Sequence, residues 1–527
     1  SAEKRSEEAV TLLQTAAQDF PNAWDVHFSL GGALFEVQRY RECKEAFERV
    51  AQLHPTSTRN LGLMGLTLHQ AGELEAARDF YLRALRLDPN HMDTMSNLCA
   101  LLIDMDQLNL AETLIRRALQ LQPDFLPAHS NLGTILARKG DLLGAVHSFR
   151  EVLHHDPGHI PALCSLTFLH DTLGDDEGAA GFSRLAFEAD PESPAAQFNF
   201  SMHVLASGDY ARGFRFYERR WELRQFVKTR KMLQPQWLGE SLAGKRVFVY
   251  PEQGMGDTIQ FVRYLPLMAA RGAEVILEVQ PPLERLMADV AGAAQVHRAG
   301  QYKGYYDLHC PLMSVAYAFG TELHTIPAQF PYLSADPADV ERWARILDAQ
   351  ELRVGLVWSG NPAHTKDRVR SAHLRDFRAV LETPGVRFYA LQKGPGLREL
   401  PEIPESFQPV VLDAELKDFG ETAAAIAHLD LVITVDTAVA HLAGAMGKPV
   451  WILVAKSPDW RWMRDRSDSP WYPTAKIFRQ DVLGDWSGML ERVRVELAAR
   501  VKDRTNSGFD APGLPGVSPS AGLMAAV

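Results

Sequence analysis

Two rhythms of apolar and small residues divide this 527-residue chain. Up to about residue 225 the beat is long. Pro21, Pro55, Pro89, Pro123, Pro157 and Pro191 follow one another at intervals of 34 residues. Ala77, Ala111, Ala145 and Ala179 keep the interval, and so do Gly72, Gly140, Gly174 and Gly208. Gly31, Gly65 and Gly133 share another phase, with Cys99 and Thr167 filling it in the remaining units. Small residues at fixed phase predict paired helices that approach closely. Proline lacks an N–H and restricts the residue before it, so it ends the second helix of each pair. Beyond Trp237-Leu-Gly-Glu-Ser the long beat stops and short apolar runs take over. Strands are predicted at Val247–Tyr250, Glu274–Val279, Val296–Ala299, Arg353–Trp358, Arg387–Leu391, Val410–Leu412, Leu431–Val435, Val450–Val454 and Lys476–Phe478. Helical stretches such as Thr258–Arg271 and Glu421–His428 lie between them. Strands alternating with helices predict parallel sheets covered on both faces.

The 34-residue period resembles the tetratricopeptide repeat. The resemblance covers about residues 1–225, with about five full repeats, a partial unit before Pro21 and a last one after Pro191. It implies an α-solenoid whose concave face binds extended peptides. A rigid spacer or dimerisation arm fits the same pattern. Asn97, Asn131 and Asn199 lie on first helices in one phase, with Ser165 at the intervening repeat, and are candidates to hold a peptide backbone. A solvated helix face accounts for them as well.

Length alone suggests roughly three or four domains. In the second half a seam falls between about 335 and 350, after Pro331-Tyr-Leu-Ser-Ala-Asp-Pro, and divides two Rossmann-like lobes at about 226–345 and 346–505. Ligands of such sheets bind at the carboxyl ends of the strands, which predicts a site in the cleft between lobes. The tail from Thr505 (506–527), rich in Gly, Pro, Ser and Ala, is predicted to be disordered. A formal net charge of −11 argues against a nucleic-acid partner. Cys43, Cys99, Cys164 and Cys310 are far apart and form no CxxC pair, as in a reducing compartment. No run approaches the roughly 20 apolar residues of a membrane span. The opening Ser1-Ala-Glu-Lys-Arg-Ser-Glu-Glu lacks the apolar core of a signal peptide, so the expected location is cytoplasmic. Oligomerisation is left open.

Three strand ends carry candidate chemistry. In Leu431-Val-Ile-Thr-Val-Asp-Thr-Ala-Val-Ala-His441 a buried strand feeds a helix start, where free N–H groups and the helix dipole suit an anion. In Val247-Phe-Val-Tyr-Pro-Glu-Gln-Gly-Met-Gly-Asp257, Gly254 and Gly256 let a ligand approach the backbone. Asp257 there is either a catalytic carboxylate or a helix cap; both uses require one oxygen to stay free. In Val357-Trp-Ser-Gly-Asn-Pro-Ala-His-Thr-Lys-Asp-Arg-Val-Arg-Ser371 the basic residues Lys366, Arg368 and Arg370 suit a diphosphate, as does Lys393 past the next strand. Solvation alone explains such a loop too. No metal-ligand cluster has proper spacing, and Asp104-Met-Asp106 sits at a repeat's inter-helix turn, so no metal and no cofactor are expected. A Walker lysine loop and the third glycine of a dinucleotide fingerprint are both missing.

Together the two helix-start motifs resemble the heptosyltransferase-like family of two-lobed (GT-B) glycosyltransferases over about residues 240–500. Gly254-Met-Gly-Asp257 is similar to that family's first-lobe turn. Val435-Asp-Thr-Ala-Val-Ala-His-Leu-Ala443 is similar to its Asp-Thr-Gly-x-x-His-Leu motif, with Ala438 replacing glycine. The family's Lys-x-Trp-Pro is missing, so a heptose substrate is not implied. In domain order the chain is similar to protein O-glycosyltransferases, some bacterial members of which modify flagellin. The resemblance implies an α-solenoid followed by an α/β GT-B fold, an inverting glycosyltransferase, a nucleotide-sugar donor and a protein or peptide acceptor, flagellin among the candidates. It implies Asp257 as the base, and Gly256, Asp436, Thr437, Ala438 and Val439 at the donor phosphates with His441 nearby. His441 packed against the sheet is the other reading. In Ser457-Pro-Asp-Trp-Arg-Trp-Met-Arg464, Trp460 or Trp462 suits a base or sugar and Arg461 or Arg464 a phosphate. Packing of the aromatics between lobes is the expected use. A binding scaffold without activity, or a transferase acting on lipid or polysaccharide, stays open.

Overall fold

The computed structural model describes residues 2–54, 57–223, 226, 232–364 and 366–506. Pro55 and the tail beyond residue 506 lie outside these residues. The chain folds as two compact units, 1–196 and 197–527.

The first unit is a run of helical hairpins. A helix at Ala2–Asp19 precedes the pairs Trp24–Glu36 with Tyr40–Leu53, Thr58–Gln70 with Leu74–Leu87, and Met92–Asp104 with Leu108–Leu121. Leu126–Lys139 with Leu142–His155 and Ile160–Thr172 with Asp176–Ala189 complete it. The small residues act as the period predicted. A Cβ built on Gly31, Gly65 or Gly133 would stand 2.7, 2.6 or 2.7 Å from the ring of Phe47, Tyr81 or Phe149. Each glycine therefore receives an aromatic side chain from the second helix of its own pair. Between the two helices of each pair one residue takes the left-handed conformation. Gly140 does so at φ 88°, and in the same phase Asp106 does so at φ 59°. Asp104 and Asp106 thus serve a turn: Asp104 meets His69 at 2.8 Å and Asp106 accepts from Arg138 at 3.0 Å.

The second unit takes in the last hairpin from Gln197 onward, with Tyr210–Tyr217 as its second helix. The sequence counted this hairpin with a repeat region ending at 225, whereas the compact unit boundary falls at 196. The cause is aromatic. Tyr210 and Phe214 pack on Trp460 with ring centres 5.9 and 5.6 Å apart, and Trp471 Nε1 donates to the Tyr210 hydroxyl.

Two parallel sheets follow. β1 (Arg246–Tyr250), β2 (Glu274–Val279), β3 (Gln295–Arg298) and β4 (Leu308–Pro311) lie in the order β3-β2-β1-β4. β5 (Leu352–Val357), β6 (Val386–Ala390), β7 (Val410–Val411), β8 (Leu431–Val435), β9 (Val450–Val454) and β10 (Ala475–Arg479) lie in the order β10-β9-β8-β5-β6-β7. Both orders reverse beside their first strand, so crevices open past β1/β4 and β5/β8. Val247 pairs with Val275 and Leu308, and Val354 with Phe388 and Leu431. The strand β4 is absent from the sequence prediction, because Leu308-His-Cys-Pro311 is short and mixed in polarity. The segment expected to be one helix over Thr258–Arg271 is instead Met255–Phe261, a 3₁₀ turn and Leu265–Ala270. The last helix, Ser487–Asn506, takes in Thr505 and Asn506, where the sequence already placed the tail.

Candidate functional site

β1 and β8 each end at a helix start, and the two starts meet. The helix Met255–Phe261 leaves β1 and the helix Ala438–Ala445 leaves β8. Their contact is Gly256 on His441: a Cβ at 256 would lie 2.7 Å from the imidazole Cδ2. Gly256 is thus required for helix contact, a use the sequence reading did not assign. A cleft of about 690 Å³ opens at this junction. Gly256, Asp257, Arg370, Lys393, Asp436, Thr437, Ala438, Val439 and His441 line it. Lys366 and Arg368 are not among its lining residues, and Arg368 is exposed.

Thr437 precedes the second helix in extended conformation and its side chain caps no N–H. Its hydroxyl turns to Thr434 Oγ1 at 2.9 Å instead. The first-turn N–H groups at 438 and 439, which a helix cannot satisfy internally, border the cleft. His441 is buried, and its Nδ1 meets the Tyr472 hydroxyl at 2.8 Å. Burial, and then Arg461, hold its pKa down to about 3, so it is a neutral packing residue at ordinary pH.

Asp257 is held at both oxygens. Oδ2 accepts from the Gly254 N–H at 2.8 Å, and Oδ1 pairs with Arg461 Nη2. Burial pushes its pKa up and Arg461 pulls against that, leaving it above the ordinary value. A carboxylate offers about four lone-pair sites, so two remain for a substrate hydroxyl. The condition that one oxygen be free of partners is not met. Across the cleft, burial and the neighbouring Asp459 push Asp436 up to about 6. Burial also pushes Asp459 up, but Arg461 outweighs it and holds that carboxyl below its usual range.

The cations are less available than their spacing suggests. Arg370 packs over Gly360 and pairs with Asp367 at 3.5 Å. Lys393 Nζ donates to the Asp413 carbonyl at 2.7 Å and pairs with its carboxylate at 2.6 Å. Trp460 and Trp462 are buried in the aromatic core, so they pack rather than stack on a ligand. Two residues were missed in the sequence. Gln392 Oε1 accepts from the N–H groups of Trp358 and Ser359, and its Nε2 donates to the carbonyls of Ser359 and Lys393. This buried amide fixes the loop after β5; its one signal was its place beside Lys393 at a strand end. Asp459, two residues before Arg461, was hidden among tryptophans.

The asparagines do not form one set. Asn131 Nδ2 donates to the Ser96 carbonyl and hydroxyl at 3.1 and 3.0 Å, which ties neighbouring repeats together. Asn97 lines a small cavity of about 360 Å³ with Arg59, His91 and Phe125. Asn199 belongs to the other unit. A larger groove of about 1190 Å³, between β10 and the last helix, shares no residue with the cleft, and Lys476 and Glu496 on its wall neutralise each other. Among the described residues no group of three His, Cys, Asp or Glu is placed to hold a metal, and no helix is long and apolar enough to cross a membrane.

Residues 372–483 match glycosyltransferase family 9 (heptosyltransferase), and residues 33–91 match the tetratricopeptide repeat. The chain carries tetratricopeptide repeats ahead of a C-terminal glycosyltransferase family 9 domain. The family 9 match contains Lys393, the 436–441 helix start and Arg461, and Asp257 lies outside it. Protein FlbA of Caulobacter vibrioides (strain ATCC 19089 / CIP 103742 / CB 15) is 28% identical over 330 residues, 57% of this chain and 54% of that protein. The match therefore spans about half of that relative. Among solved structures, YrrB, a TPR protein with an unusual peptide-binding site, is 21% identical with a TM-score of 0.28, covering 35% of this chain and 95% of its own. TTC0263, a thermophilic TPR protein in Thermus thermophilus, is 18% identical with a TM-score of 0.33, covering 35% and 100%.

Proposed function

We propose that this chain is a glycosyltransferase that moves a sugar from a nucleotide-activated donor to a hydroxyl of a protein or peptide, with flagellin one candidate acceptor. The observation that carries the reading is the meeting of two helix starts over one cleft: a half-buried carboxylate, Asp257, on one side and the uncapped helix at 438–439 on the other. Donor phosphate sits on the 438–439 N–H groups with Arg370 beside it, and the leaving charge is met by fixed dipoles and basic side chains without a metal. The acceptor hydroxyl gives its proton to Asp257 as its oxygen bonds to the anomeric carbon. The nucleotide leaves from the opposite face with the bonding electrons, so the configuration inverts. The repeats deliver the acceptor.

The Arg461–Asp257 pair favours a second reading, a binding scaffold whose carboxylate is permanently occupied. Nucleotide release by the full chain, given donor and acceptor, separates the two. The enzyme reading expects turnover that falls about 10²–10⁴-fold in Asp257→Asn. Turnover unchanged in that variant removes the base assignment, and none in the wild type favours the scaffold.

A further inference from the structure

Arg461 is the most heavily engaged cation bordering the cleft. Its guanidinium lies over Trp460, 4.4 Å from the ring centre, and its side chain is 7% exposed. Nε donates to Gln260 Oε1 at 2.7 Å, Nη1 to Asp459 at 2.8 Å, and Nη2 to Asp257 with Met313 Sδ at 3.5 Å. Four of the five N–H groups that a guanidinium offers are thereby spent inside the protein. That leaves little for a phosphate, the role its spacing suggested. The partners also sort by strand. Gln260 and Asp257 follow β1 and Asp459 follows β9, so one planar group fixes the base relative to the opposite wall of the cleft.

Accepting Asp257 as the base, we infer that Arg461 is its positioning residue: it holds the carboxylate aimed into the cleft, and Asp459 competes with Asp257 for the same guanidinium. Other groups border the same junction. The helix of Asp257 itself gives the Gly254 N–H; the helix Ala438–Ala445 gives neutral His441; the end of β8 gives Asp436, with Arg370 further along the cleft wall. The helix Tyr210–Tyr217 gives the Tyr217 phenol, whose hydroxyl receives a hydrogen bond from Gln253, and the Arg220–Glu252 pair lies next to it. Beside these, Arg461 and Asp459 are the charges that act on Asp257 most, and with opposite sign.

The two neighbours therefore make opposite predictions. Arg461→Gln removes the stabilising cation, so Asp257 titrates at higher pH. Asp459→Asn removes a like charge and a competitor for the guanidinium, so Asp257 titrates at lower pH. Arg461→Lys restores charge without the planar fork, and brings the titration back towards wild type with part of the lost rate. The measurement is the carboxyl carbon signal of Asp257 in the full chain, labelled with ¹³C-aspartate and assigned by its loss in Asp257→Asn, followed against pH. The acid limb of kcat/KM is recorded alongside, where a shift of one pH unit is about a tenfold change in rate below the limb. Opposite shifts in the two variants support the inference, and Asp459→Asn carries the test alone if Arg461→Gln does not fold. Shifts absent from both variants, or of one sign, overturn it even where Asp257→Asn is inactive. Full activity of Asp257→Asn overturns the base reading, and this inference with it.

Discussion

Gly256 has no room for a side chain, because His441 fills the space where one would go. Gly256→Ala should cost about 1–3 kcal/mol of stability by overpacking, measurable by denaturant titration. His441 makes a sharper prediction. Its folded pKa lies near 3 against an ordinary 6.5, so the unfolded chain binds the proton first. The stability it contributes is complete above about pH 6.5 and is lost as pH falls towards 3. Asp436 acts in the opposite sense: raised from 3.8 to about 6, it makes the folded chain lose stability as pH rises through that window. The stability difference between wild type and His441→Gln isolates the histidine and should shrink from about pH 7 to about pH 4; a constant difference contradicts its burial as a neutral ring. Among the cations, Arg370→Gln should weaken donor binding several-fold and Arg368→Gln should leave it unchanged. That Asp257, Lys393 and the 436–441 start lie past strand ends, and Arg370 on the longer loop after β5, was legible because chain order fixes those places. What each touches was not. The Arg461 bond to Asp257 joins residues 204 apart in sequence, and no local pattern encodes a pair at that distance.

The helical hairpins were legible as elements because their packing is local and repeated. Glycine on one helix and an aromatic ring on the next recur at constant spacing, so the sequence carries the contact itself. Gly133→Val should destabilise the first unit by pressing into Phe149, whereas Asn131→Ala should cost only about 1 kcal/mol for its lost bonds to Ser96. The sheets were legible where strands are buried on both faces and rich in Val, Ile and Leu, as β8 and β9 are. They were not legible at β4, whose place beside β1 is set by the sheet rather than by its own residues. The last hairpin was legible as an element, but not the side on which it packs. Its spacing continues the repeat, but Tyr210 and Phe214 are held by Trp460 and Trp471, more than 240 residues further on.

At the scale of the whole molecule, one unit of repeats precedes a unit that contains the cleft, and the proposed division of labour is acceptor delivery and sugar transfer. Deleting residues 1–190 should abolish modification of a folded protein acceptor while donor binding persists; modification at full rate would remove the delivery role. The central claim is that the cleft over the 438–439 helix start holds a nucleotide-activated sugar. Thermal unfolding of the full chain with UDP-, GDP-, ADP-, CDP- and CMP-sugars tests it most directly, because a ligand at about 100 times its Kd adds about 2.7 kcal/mol of apparent stability. The account predicts one nucleotide class that raises the Tm of the wild type and not of Ala438→Glu, whose carboxylate would occupy the helix start. No response to any donor, or a response that Ala438→Glu leaves intact, would contradict it.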